Sequence, residues 1–202
     1  MRGRSHRPSR SVAAERGSRQ EIARRGQLNG ACPVPKVLFV CTGNVCRSPF
    51  AERLARLLSD GSVEYASAGI QALHGEPMDR PMADQLSARG GTSEGFAGHQ
   101  LTASMVREAD LLLCMESRHR LWVVDEAPVA LRRTTLLTHF TAVAAQQPAL
   151  RGDQIVKAAL TQPIPRGVKD IADPYRQGDE AAALAAEVLA QHVRQVVIAL
   201  EG

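Results

Sequence analysis

In Cys41-Thr42-Gly43-Asn44-Val45-Cys46-Arg47-Ser48-Pro49, a thiol and a guanidinium stand at the two ends of a short turn with five residues between them. A thiolate is a nucleophile, and a planar guanidinium holds two oxygens of a phosphate at once, which lysine cannot do. Ser48 can donate a hydrogen bond to the sulfur. Asn44 tolerates the left-handed backbone that a tight anion loop needs. The types and spacing suit attack on a tetrahedral oxyanion, with Thr42, Gly43, Asn44, Val45, Cys46 and Ser48 as candidate binding positions. A Cys and an Arg at this spacing also occur by chance, and a lone Cys after a strand is usually a small buried hydrophobe.

What must position these groups is legible on either side. Val37-Leu38-Phe39-Val40 is an apolar run without alternation, as in a parallel strand buried on both faces. Beyond the turn, Leu54, Leu57 and Leu58 fall at helical spacing, with Glu52, Arg53 and Arg56 on other faces. A strand feeding a helix through such a loop leaves the first helical N–H groups unpaired and aimed at the loop's occupant. Those N–H groups, the helix dipole and Arg47 each favour thiolate over thiol at Cys41.

The nine-residue string resembles the signature of the low-molecular-weight protein tyrosine phosphatases, bacterial type, Cys-x-Gly-Asn-x-Cys-Arg-Ser-Pro, at every fixed position. Three further segments follow in that family's order: Ser67-Ala68-Gly69, Asp110 to Met115 as a third strand with its Met-acid end, and Asp173-Pro174-Tyr175 as an acid loop. The resemblance spans roughly Lys36 to Leu200. It implies Cys41 as nucleophile, Arg47 as oxyanion clamp, Asp173 as general acid then base, and Tyr175 on the pocket wall. By themselves, Asp173 before Pro174 reads as a turn former and Tyr175 as a surface tyrosine. The implied activity is metal-independent hydrolysis of protein phosphotyrosine through a cysteinyl-phosphate, with no cofactor and no metal ligand. Expected partners are a tyrosine-phosphorylated protein and a tyrosine kinase. Val45 would pack on the phenyl ring.

Two other chemistries use a similar loop. Phosphoarginine phosphatases resemble it with Thr at the Val45 position. Arsenate reduction needs a relay of further cysteines, and Cys114 has no partner close behind it, so an external thiol would have to serve. Cys46 is either a packing thiol or a guard that captures an oxidised Cys41 as a reversible disulfide.

The remaining chain alternates strand-like and helix-like segments, which predicts an α/β domain over 36–202: a four-stranded parallel sheet with helices on both faces and the anion loop after the first strand. The predicted strands are 36–40, 63–67, 110–115 and 134–138. Helices are predicted over 49–59, 78–88, 102–109, 117–124 and 179–200, the last buried along Leu184, Val188 and Val196. An extra helix is expected within 142–160, and 161–167 as a mobile loop at the pocket rim. The resemblance also leads one to expect a His holding the loop's Asn. Phe96 aligns there, with His99 nearby as an exposed residue or a substitute, and Arg176 follows Tyr175 where an aromatic residue or Gly is more usual.

The 202 residues suit one domain, and 44% hydrophobic with 23% charged residues describes an ordinary globule. Residues 1–30 hold eight arginines against Glu15 and Glu21, a local balance of +6, so the remainder of this +4 chain carries −2. Residues 1–35 read as a disordered basic leader. It lacks the interleaved aromatics of a nucleic-acid binder, and its Arg/Ser bias is faintly that of a transit peptide. No run approaches the ~18 apolar residues of a membrane span. Four cysteines in a chain this long are expected free, which points to a reducing cytoplasm.

Overall fold

The structure, a computed structural model, describes residues 36–202. The predicted leader, with Cys32, lies outside them. Four strands, β1 (Lys36–Cys41), β2 (Glu64–Gly69), β3 (Leu111–Cys114) and β4 (Thr134–Leu136), form one parallel sheet in the order β2-β1-β3-β4. The chain moves outward from β1 to β2, then crosses to β3 on the other side, so β1 ends at the point where strand order reverses. Open α/β sheets bind ligands there, beyond the carboxyl ends of the strands. Cys41 is the last residue of β1, in register with Gly69 of β2.

Alternate residues of β1 enter two separate cores, as the unalternating apolar run predicts. Val37, Phe39 and Cys41 face a core built with α1 (Arg47–Leu58), α2 (Arg80–Ser87), α5 (Leu137–Gln146), α6 (Gly152–Thr161) and α7 (Gly178–Glu201). Leu38 and Val40 face a smaller one with α3 (Ala103–Glu108), α4 (Ser117–Glu126) and the 3-10 turn Pro128–Arg133. Helices cover both faces of the sheet, as expected.

Several local expectations give way to packing. In α1 the buried residues are Arg47, Ser48, Pro49, Phe50, Ala51, Glu52, Leu54 and Ala55, while Leu57 and Leu58 are exposed. The first two turns of the helix are buried, and Arg56, Leu57 and Leu58 at its end are exposed. Leu184 and Val188 are likewise exposed. The inner face of α7 is Ala182, Ala185, Ala186, Leu189, Ala190, Val193 and Val196, because the helix packs against α1 and α2, where small residues permit close approach. By length and hydropathy α7 could span a membrane, but this inner face belongs to the core. The predicted fourth strand stops at Leu136, and Leu137 and Thr138 begin α5. The extra helix within 142–160 is two helices, α5 and α6, separated by a turn through Pro148. The 161–167 segment does not line the pocket at Cys41, contrary to the expectation of a rim loop; Ile164 packs on the smaller core.

Candidate active site

The loop from Cys41 to Ser48 is held so that its carbonyls point outward. The carbonyl oxygens of Cys41, Thr42 and Gly43 accept from the N–H groups of Ile70, Gln71 and Leu73 at 3.0, 3.0 and 2.9 Å, and that of Val45 accepts from Asp79 at 2.8 Å. With those oxygens engaged outside, the amide dipoles of the loop present their N–H ends inward. Cys46 is the N-cap residue of α1 and makes no side-chain capping bond, so the helix's first N–H groups also open on the loop. Asn44 has φ of 53°, the left-handed conformation predicted for it. The loop lies against β2 so closely that a Cβ on Gly69 would stand 2.5 Å from the Thr42 carbonyl oxygen.

At the centre, Cys41 Sγ is 2.9 Å from Ser48 Oγ and accepts from the Asn44 N–H at 3.3 Å. A buried chain fixes the direction of these bonds. The Asn44 side chain accepts the His99 backbone N–H at Oδ1 (2.7 Å) and donates from Nδ2 to both Ser48 Oγ and Ser67 Oγ, each at 2.9 Å. Ser67 donates to Glu52, whose other oxygen meets Arg56 at 2.9 Å. Ser48 Oγ is already an acceptor, so its proton is free to go to the sulfur, the nearest acceptor, with the Ala68 carbonyl farther at 3.4 Å. Glu52, predicted for an outer face, is therefore buried because it terminates this chain.

Arg47 is 1% exposed. Its Nη1 donates to Glu116 Oε1 and, at 2.8 Å, to the Ile171 carbonyl, and its Nη2 meets Asp173 Oδ2 at 2.7 Å. Its Nε is buried without an acceptor among the described residues, a donor that a buried oxyanion would satisfy. Asp173 also caps its own turn, accepting the Tyr175 N–H at 3.3 Å. Cys41, Thr42, Gly43, Val45, Cys46, Arg47, Gln71, Leu73, Asp173 and Tyr175 line one cleft of about 150 Å³. Every predicted site residue is thus on this cleft or, for Asn44 and Ser48, bonded directly behind it.

A sequence model described as low molecular weight phosphotyrosine protein phosphatase matches residues 36–151. The chain is 37% identical to the low molecular weight protein-tyrosine-phosphatase Etp of Escherichia coli K12 over 72% of this chain and 80% of Etp. Among solved structures, the tyrosine phosphatase AmsI of Erwinia amylovora superposes with a TM-score of 0.67 at 28% identity, covering 87% of this chain and 98% of that one. The YwlE arginine phosphatase of Geobacillus stearothermophilus does so at 0.66 and 27%, covering 81% and 90%. The chain belongs to the low molecular weight phosphotyrosine protein phosphatase family. Because the model match ends at residue 151, the case for Asp173 and Tyr175 as site residues rests on their contacts with Arg47 and the cleft.

The family resemblance leads one to expect a histidine holding the loop's Asn. Here that contact comes from the backbone N–H of His99, whose side chain is exposed, while Phe96 packs into the main core. Cys114 is buried in β3, and burial raises its thiol. Cys46 is also raised, by burial first and then by Asp79 and Cys41, so it stands as a protonated thiol beside the nucleophile position.

Three residues at the N-terminus of α4 secure the site, of which the sequence marked only Glu116, as the acid of the Met-acid end. Glu116 holds Arg47 and is itself bound by Arg118, whose Nε is at 2.7 Å. Burial pushes the Glu116 carboxyl up, but the hydrogen bonds from Arg118 and Arg47 outweigh it and hold it below the ordinary carboxylate range. His119 is fully buried; its Nδ1 accepts the Glu116 N–H at 3.1 Å, and its Nε2 lies 2.9 Å from Thr42 Oγ1. The Nδ1 acceptor role assigns the proton to Nε2, which donates to Thr42. The usable signal was an acidic residue directly after a buried strand ending at the switch point.

Burial pushes His119 down to about 4, more than the nearby Glu116 carboxylate raises it. An unfolded chain takes up this proton near pH ~6.5, whereas the folded one resists until about pH 4. The stability from neutral His119 is therefore complete above pH ~6.5 and lost as pH falls toward about 4. His119→Asn keeps an acceptor near Nδ1 and cannot titrate. Its unfolding midpoint is expected to fall less than the wild type's between pH ~6.5 and ~4; parallel curves would remove His119 from the account.

Proposed function

We propose that this protein hydrolyses protein phosphotyrosine through a phosphocysteine at Cys41. The observation that carries the reading is the convergence on one cleft of Cys41, the buried Arg47 with its free Nε, and the Asp173 carboxylate. Cys41 Sγ attacks phosphorus and the bond to the aryl oxygen breaks, with Asp173 giving that oxygen its proton. The carboxylate then takes a proton from the water that attacks phosphorus, the S–P bond breaks, and phosphate and the thiolate are released. The loop N–H groups and Arg47 carry the negative charge on the equatorial oxygens in both steps.

The walls above the anion floor are Val45, Leu73 and Tyr175, which suit a phenyl ring, and Val45 stands where the phosphoarginine phosphatases that resemble this loop have Thr. This supports phosphotyrosine over phosphoarginine, the alternative raised by the arginine phosphatase among the structural neighbours. A parallel assay of phosphotyrosine, phosphoserine and phosphoarginine peptides tests it: turnover is expected with the first alone, and preferential release from phosphoarginine would overturn it. The natural partner is then a tyrosine-phosphorylated protein, made by a tyrosine kinase. The described cysteines, all free, fit a reducing compartment, and we assign the enzyme to the cytoplasm.

The acid role of Asp173 has its own signature. Asp173→Asn is expected to slow phenyl phosphate by about 10²-fold or more, and an ester with a good leaving group such as p-nitrophenolate much less, because only the poor leaving group needs the proton. The comparison is made in kcat/KM, which reports phosphoryl transfer to Cys41 and not the later hydrolysis that both substrates share; equal slowing of both there would remove the acid role from Asp173.

A further inference from the structure

Beside the catalytic cleft lies a second groove of about 480 Å³ that shares Val45, Leu73 and Tyr175 with it and continues along Glu76, Asp79, Arg80 and Arg176. A substrate whose phosphotyrosine sits on the anion loop can lay its neighbouring residues over this shared wall. Arg176 stands at that junction in an unusual way. Its φ is 59°, one of two positive values at non-glycine positions among the described residues, the other being Asn44 of the anion loop. Left-handed backbone costs an arginine free energy that glycine or asparagine would largely escape, and such outliers concentrate at functional sites. In this conformation the guanidinium folds back over the preceding side chain, 5.0 Å from the centre of the Tyr175 ring. It is exposed and has no carboxylate partner among the described residues.

We propose that Arg176, braced on Tyr175, selects substrates carrying an acidic residue immediately beside the phosphotyrosine. The stack restricts a side chain that would otherwise roam solvent, so less freedom is lost when it pairs with a carboxylate at the cleft mouth. Glu76 and Asp79 come from the connection after β2 and repel acids farther along the groove, which confines the preference to the adjacent positions. Arg80 is less well placed to contribute: it projects 92% exposed, and its nearest carboxylate, Asp84, is 3.9 Å away.

This inference rests on the phosphotyrosine reading, and the experiment separates the two. The probes are matched phosphotyrosine peptides with Glu or Gln on both sides of the phosphotyrosine, assayed for kcat/KM at low salt on wild type, Arg176→Gln and Arg176→Lys. For an exposed charge pair, wild type is expected to favour the Glu peptide by about three- to five-fold. Arg176→Gln should bring that ratio to about one, Arg176→Lys should keep part of it, and added salt should shrink it in wild type. Because the readout is a ratio, a general change in rate through Tyr175 does not imitate it. A wild-type ratio of one, or a ratio that survives in Arg176→Gln, overturns the role of Arg176 while leaving the phosphatase intact. Failure to hydrolyse either peptide would overturn the underlying activity.

Discussion

Cys41→Ser is expected to abolish turnover of aryl phosphates, by about 10⁴-fold or more, as removal of a covalent nucleophile does elsewhere, while leaving oxyanion binding in place. The two halves of this expectation come from different parts of the loop. Bond making belongs to the sulfur, which the Asn44 N–H and Ser48 hydroxyl approach at 3.3 and 2.9 Å. Anion affinity belongs to Arg47 and to the inward amides, whose orientation is fixed by carbonyl bonds to Ile70, Gln71, Leu73 and Asp79. None of those bonds involves the Cys41 side chain, and a serine hydroxyl fits between the same two neighbours. Phosphate titrated calorimetrically into the variant should bind within a few-fold of its inhibition constant for wild type. If the variant retains turnover, the chemistry does not run through Cys41; if it loses phosphate binding as well, the sulfur helps to hold the loop open.

How far the sequence discloses such a site depends on whether the contacts are local. The anion loop was legible because the strand, the left-handed Asn44, the arginine and the helix follow one another within a few residues, and each carries a backbone reason for its place. The partners of Arg47 were not legible in the same way. Its bond to the Ile171 carbonyl joins positions 124 residues apart, and Arg118 and His119, beside the Glu116 of the Met-acid end, look like the charged first turn of any surface helix until β3 delivers them to the loop. Glu52 shows the converse error. Helical periodicity assigns it outward, and only its bond to Ser67, and through it to Asn44, explains why a carboxylate is buried in α1. On α7 the expected stripe holds at Val196 but not at Leu184 and Val188, because the packing against α1 and α2 favours Ala182, Ala185, Ala186 and Ala190 on the inner face and leaves Leu184 and Val188 to solvent.

Arg47→Lys should lower kcat/KM for aryl phosphates by about 10³-fold and raise the inhibition constant for phosphate, although charge is conserved. The guanidinium serves several directions at once: Glu116 and the Ile171 carbonyl through Nη1 and Asp173 through Nη2, with Nε buried and free of an acceptor among the described residues and the side chain lining the cleft. A lysine ammonium is a single point and cannot span carboxylates, carbonyl and oxyanion. The variant should also be less stable, by about 1–3 kcal/mol, because a buried acceptor goes without its donor. These two losses can be pulled apart. Adding Glu116→Gln to Arg47→Lys replaces a carboxylate oxygen that has lost its Arg47 donor by a neutral amide that Arg118 can still bind, so the unfolding midpoint should recover toward wild type. Catalysis should not recover, because nothing in the double variant restores a planar donor facing the cleft. Recovery of both together would mean that Arg47 acts only by stabilising the fold, with the oxyanion held by the loop amides alone.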